Sequence, residues 1–136
     1  MNRIAASILC LSFVTIMGCG TDASAQAGSP QLRATLEKDS VVITVDGRLF
    51  TCYKFSHEQK YPYFWPVNGP ISGHTVTTET SNPYPHHHSL FFGCDRVNGG
   101  NYWQDTNERG QILSGGPKLI ESSGPKVVFT DECLWR

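Results

Sequence analysis

The sequence predicts an all-β fold, a β-sandwich that forms the incomplete N-terminal part of a larger one. Three observations carry that expectation. Pro62, Pro66, Pro70, Pro83, Pro85, Pro117 and Pro125, with glycines between them, interrupt every downstream window long enough for a helix. The apolar runs that remain are short, as strands of a sandwich or barrel are. One of them, Val41-Val42-Ile43-Thr44-Val45, is β-branched throughout and leads straight into an Asp46-Gly47 turn signal.

Residues 1–25 read as an export signal. Arg3 supplies a basic start, and the apolar run from Ile4 to Met17 is about 14 residues, short of the ~20 a membrane-spanning helix needs. Two processing sites compete. Ala23-Ser24-Ala25 has the small residues that signal peptidase cuts after, whereas Ile16-Met17-Gly18-Cys19 resembles a lipoprotein box with Cys19 as the lipidated residue. The expected location is therefore the periplasm or the cell surface, with any membrane attachment made through that N-terminal lipid.

Residues 26–30 form a small-residue tether, and residues 31–136 form the domain. Gln31 to Lys38 alternates as a half-buried strand does. Val41–Val45, the Asp46-Gly47 turn and Arg48–Phe55 form a hairpin, because Asp and Gly tolerate the positive φ of a type I′ turn. Further strands are expected at Tyr63–Val67, Thr75–Thr78, Leu90–Phe92, Lys118–Ile120 and Lys126–Thr130. After the last of these the chain runs through Cys133, Leu134 and Trp135 without a closing turn, the pattern of a fragment whose next strand would bury them.

The full chain carries a formal net charge of −1, so no basic field draws in nucleic acid. Cys52, Cys94 and Cys133 follow the leader, an odd set that allows at most one intrachain bridge and does not choose it. Cys94 has no C-x-x-C partner and reads as a buried or bridged residue more than as a nucleophile.

Chemistry concentrates between Lys60 and Trp103, which hold nine of the fifteen aromatic residues and four of the five histidines. His86, His87 and His88 suit a divalent metal or general acid/base work. If they lie on a strand, His86 and His88 share a face and His87 points away, with Glu79 or Asp95 as a third metal ligand. The competing reading has the three imidazoles bonding backbone or packing beside Tyr84 and Phe91. Tyr61, Tyr63, Trp65, Tyr102 and Trp103 are candidates for a platform on which sugar rings stack, against the alternative of core packing, which is favoured for Phe64, Phe91 and Phe92. Glu79, His88, Asn98, Trp65 and Trp103 are the ligand-binding candidates, and His86, His87 and Asp95 the catalytic ones. Asn98-Gly99-Gly100-Asn101 is first of all a turn.

Four blocks carry a resemblance. Tyr61-Pro62-Tyr63-Phe64-Trp65-Pro66-Val67-Asn68-Gly69-Pro70, Thr77-Thr78-Glu79, Pro85-His86-His87-His88-Ser89-Leu90-Phe91-Phe92 and Asp95-Arg96-Val97-Asn98-Gly99-Gly100-Asn101-Tyr102-Trp103 resemble, in order and spacing, the PmoA-like family of secreted bacterial proteins. The family pattern has a basic residue after the paired histidines, where this chain has His88. The resemblance implies a β-sandwich about twice this length, with an export signal. Its methane oxygenase label implies a metal-dependent oxygenase. Members occur beside sugar-modifying enzymes, which implies sugar binding or sugar modification. A structural surface lipoprotein is the third reading.

Overall fold

The computed structural model describes residues 28–104 and 106–136. The export signal, the cleavage site after Ala25, Cys19 and the first two tether residues lie outside the described residues. Among the described residues there are ten strands: β1 Leu32–Leu36, β2 Ser40–Val45, β3 Arg48–Lys54, β4 Tyr63–Val67, β5 Leu90–Phe91, β6 Ile112–Ser114, β7 Lys118–Glu121, β8 Ser123–Gly124, β9 Val128–Thr130 and β10 Cys133–Trp135. A single 3-10 turn covers Asn107–Arg109. Six strands form one antiparallel sheet in the order β5-β4-β3-β2-β1-β8, and the pairs β10-β6 and β7-β9 form two smaller antiparallel sheets. The architecture is all-β and sandwich-like. Among the described residues no helix is long and apolar enough to cross a membrane.

Strand periodicity sets the two faces of the main sheet. Ala34, Val41, Ile43 and Tyr53 are buried together on one face, packed by Phe50, Phe55 and Phe64 from the same sheet. Leu119, Val127 and Phe129, on and beside the β7-β9 pair, cover them. The hairpin between β2 and β3 turns at Asp46 and Gly47, both left-handed with φ of 49° and 77°, as a type I′ turn requires. Past the turn, Ile43 pairs with Thr51 but Thr44 pairs with Leu49, so Phe50 is the extra residue of a bulge. A second bulge sits in β4, where Thr51 pairs with Val67 and Tyr53 with Phe64. Pro66, which has no N–H for a ladder, lies within it, as prolines in sheets do.

The opposite face carries a second cluster. Tyr61, Tyr63, Tyr102 and Ile112 are buried there, packed by Trp65, Phe91, Val97 and Trp135. Two of its three tyrosines place their hydroxyls on polar partners, Tyr61 on the His86 carbonyl and Tyr63 on the Glu79 carboxylate, and that is where the chemistry collects.

Two expectations about strands need correcting. Thr75–Thr78 is not a strand. Only Thr75 bridges to Asn68, because the Thr75 hydroxyl donates to the Thr77 carbonyl at 2.9 Å and accepts from the Thr77 amide at 3.3 Å. Such local side-chain bonds offer the backbone an alternative to a ladder. His86–His88 is likewise not a strand: His86 lies in a turn with Pro85, and His87 and His88 follow it as irregular chain. Pro83 and Pro85 lack N–H donors, and the Tyr84 carbonyl accepts from both the His87 amide and the Ser81 hydroxyl. The alternation assigned to the three histidines therefore does not apply. Phe92, expected in the core, is 71 % exposed.

Gly110 holds this second face in place. Its φ is +145°, and a Cβ there would lie 2.7 Å from the Asn101 carbonyl oxygen and 3.1 Å from the Asn101 backbone nitrogen. Backbone atoms cannot yield as a flexible side chain would. Gly110→Ala is expected to cost about 1–2 kcal/mol and to displace the segment from Asn101 to Trp103. A thermal melt and the tryptophan emission spectrum check this, and an unchanged melting temperature would show that the contact can relax.

Candidate functional site

The register of β3 and β4 builds the floor of the site. Lys54 pairs with Tyr63 across the ladder, and Lys54 sends its ammonium over the Trp65 ring, 5.0 Å from its centroid, and the Tyr63 ring at 5.6 Å. Both rings attract a cation through their negative faces. The ammonium meets Glu79 at 2.5 Å, and the Tyr63 hydroxyl donates to the same carboxylate oxygen, Oε1, at 2.9 Å. Donation by Lys54, then by Tyr63, holds the Glu79 carboxyl below its ordinary pKa. Burial, the Glu79 hydrogen bond and its charge push the Tyr63 phenol well above its ordinary range. Glu79 is thus an ionised acceptor and Tyr63 a neutral donor.

The histidine turn sits on this floor. His88 stacks on Tyr63, with centroids 4.4 Å apart and planes 10° off parallel, and meets Tyr61 edge-on at 5.7 Å. Its Nδ1 lies 2.6 Å from the Glu79 backbone carbonyl. Tyr61, stacked on Phe91 at 4.6 Å, donates its hydroxyl to the His86 carbonyl. Burial raises the Tyr61 phenol to about 12. His86 and His87 meet at 4.5 Å with their rings nearly perpendicular. Desolvation first, and then the other two imidazoles, lower the His86 pKa.

The outer edge is an aromatic array. His87 stacks with Tyr84, at 5.1 Å and 27°, and with Trp103, at 6.1 Å and 19°. Tyr84 is 54 % exposed and Trp103 37 %. Asn101 aims Trp103, since its side-chain oxygen accepts from the backbone amides of Trp103 and Gln104 at 3.0 and 3.1 Å.

The structure thus brings together Glu79, His86, His87, His88, Trp65 and Trp103. It does not bring Asp95 to them. That carboxylate is half exposed and lies 3.9 Å from its neighbour Arg96. Asn98 has φ of 49° and, with Gly99 at 85°, closes a tight turn bridged by Val97 and Gly100. Its exposed place in the chain serves that turn. The metal arrangement set out above, with His86 and His88 on one strand face and a carboxylate beside them, does not form. His86 pairs with His87, His88 bonds backbone, and among the described residues no three His, Cys, Asp or Glu side chains gather as a ligand set. Of the expected platform, Tyr61, Tyr63 and Tyr102 are buried. Tyr84 stands in the exposed array instead.

Lys54 was not legible as a site residue. A lone lysine in a strand carries no motif, and only the ladder pairing with Tyr63 places it. Asn101, read as part of a turn, also positions Trp103.

The three described cysteines are free thiols. Cys133 and Tyr53 border a cavity of about 340 Å³ whose other walls include Phe64, Phe92, Ile112 and Trp135. Burial, foremost, raises both the Cys133 thiol and the Tyr53 phenol. Neither is primed as a nucleophile there.

Residues 40–136 match DUF6807, a family of unknown function. The chain belongs to this family. No curated protein and no solved structure matches it. The matched span in this DUF6807 protein begins with β2 and contains every residue of the site just described.

Proposed function

We propose that this DUF6807 protein binds a neutral carbohydrate over the Tyr84–His87–Trp103 array. The observation that carries the proposal is the array itself: His87 stacked with Tyr84 and with Trp103, both of which are exposed. Sugar rings present C–H faces that pack on aromatic ones, and their hydroxyls need the few placed polar partners that a ligand site supplies. The pairing of Lys54 with Glu79 spends one charge on another, which favours a neutral ligand over an anionic one. The resemblance to the PmoA-like family, whose members occur beside sugar-modifying enzymes, points the same way, and so does the expected export.

Neutral oligosaccharides displayed on a glycan array, followed by calorimetry on those retained, test the reading. Trp103→Ala is expected to weaken binding about tenfold or more, the equivalent of about 1.4 kcal/mol, while Leu134→Ala leaves it unchanged. Leu134 is exposed on β10, outside the array. No retention of any neutral glycan, or equal affinity in the Trp103 variant, would overturn it.

A further inference from the structure

We infer that neutral His88 presents a bare Nε2 to the ligand as a hydrogen-bond acceptor, so that the site selects a hydroxyl donor at this point. The inference rests on the sugar-binding reading and names the ligand group that one of its contacts requires. A backbone carbonyl can only accept, so the 2.6 Å contact from the Glu79 oxygen puts the ring proton on Nδ1. In the neutral imidazole the other nitrogen then carries a lone pair. The ring cannot readily turn to exchange the two. Tyr63 lies flat against it, Tyr61 meets it edge-on, and a half-turn would break the bond to Glu79.

The neighbouring donors make their hydrogen bonds elsewhere. The Tyr63 hydroxyl and the Lys54 ammonium bond the Glu79 carboxylate, and the Tyr61 hydroxyl bonds the His86 carbonyl. Among the described residues no donor reaches His88 Nε2, yet this atom is not one of the buried polar atoms left without a partner. It is an acceptor that solvent can reach. A sugar hydroxyl can fill it while the ring is neutral.

Nitrogen-15 NMR of the full chain labelled at histidine reads the tautomer and the contact separately. In the free protein, His88 is expected to show a protonated Nδ1 and a bare Nε2. The reverse pattern overturns the inference whatever the ligand. Titration with cellobiose, mannobiose and lactose follows the ring nitrogens and the Trp103 indole together. The expected result is that a neutral sugar moves both signals. Movement of the indole alone overturns the role of His88 and leaves the sugar site standing. Movement of neither by any sugar overturns both. His88→Asn keeps a donor for the Glu79 carbonyl but has no acceptor at the Nε2 position, and it is expected to lose tenfold or more in affinity for the sugar that binds. His88→Gln, which can place an oxygen there, should restore most of it. Equal affinity for the Asn variant and the unaltered chain would overturn the inference.

Discussion

Tyr61→Ala is expected to destabilise the domain by about 3–5 kcal/mol, the range for removing a buried aromatic side chain. Tyr61 is 1 % exposed and stacks on Phe91. It also supplies the hydroxyl that anchors the histidine turn at the His86 carbonyl. Loss of the ring opens a cavity beneath that turn and leaves the carbonyl without its donor. A domain of this size has only about 5–15 kcal/mol of stability in all, so urea denaturation of the variant should show a much earlier midpoint. Tyr61→Phe separates the two contributions. It keeps the stack and removes one hydrogen bond, and the expected cost is about 1–2 kcal/mol. The Phe variant should remain folded while the His86–His88 segment loses protection from amide exchange. Equal losses in the two variants would mean that the hydroxyl, not the packed ring, dominates.

The main sheet was legible because its signals are local. Val41–Val45 is β-branched throughout, and Asp46-Gly47 is a turn whose residues tolerate its backbone, so propensity and turn agreed on one hairpin. β6, β8 and β10 were not foreseen. Ile112-Leu113-Ser114 is too short between Gly110 and Gly115 to show a period, and Ser123-Gly124 has no apolar residue at all; both are strands only because a partner lies beside them. The site divides in the same way. Composition located it between Lys60 and Trp103, since aromatic and histidine residues crowd there. Within that block strand alternation does not hold at the histidines, because two prolines turn the segment into a loop. Which tyrosines face outward depends on packing from Tyr102 and Ile112, far along the chain, and Lys54 enters through a ladder pairing that no spacing reveals.

Glu79→Ala is expected to cost about 2–3 kcal/mol, below the range for breaking a fully buried ion pair because both side chains are about one-third exposed. The carboxylate accepts from Lys54 and from Tyr63, and its removal leaves an ammonium over two aromatic rings without its counter-charge. The pH dependence distinguishes charge from shape. Donation by Lys54 lowers the Glu79 pKa in the folded protein from its ordinary 4.5. A carboxylate with a lowered folded-state pKa contributes its stability fully above its unfolded value and loses it as pH falls through the folded one. The unfolded chain then binds the proton more readily than the native one. Glu79→Gln keeps an oxygen for both donors but removes the charge and its titration. At neutral pH the unaltered chain should therefore melt higher than the Gln variant, and the gap should start to close as the pH drops below about 4.5, vanishing once Glu79 is protonated in both states. Melting curves from neutral pH down to about pH 2 measure the gap directly. If it stays constant across that range, the Lys54–Glu79 contact acts through hydrogen-bond geometry, and the electrostatic account of the site floor fails.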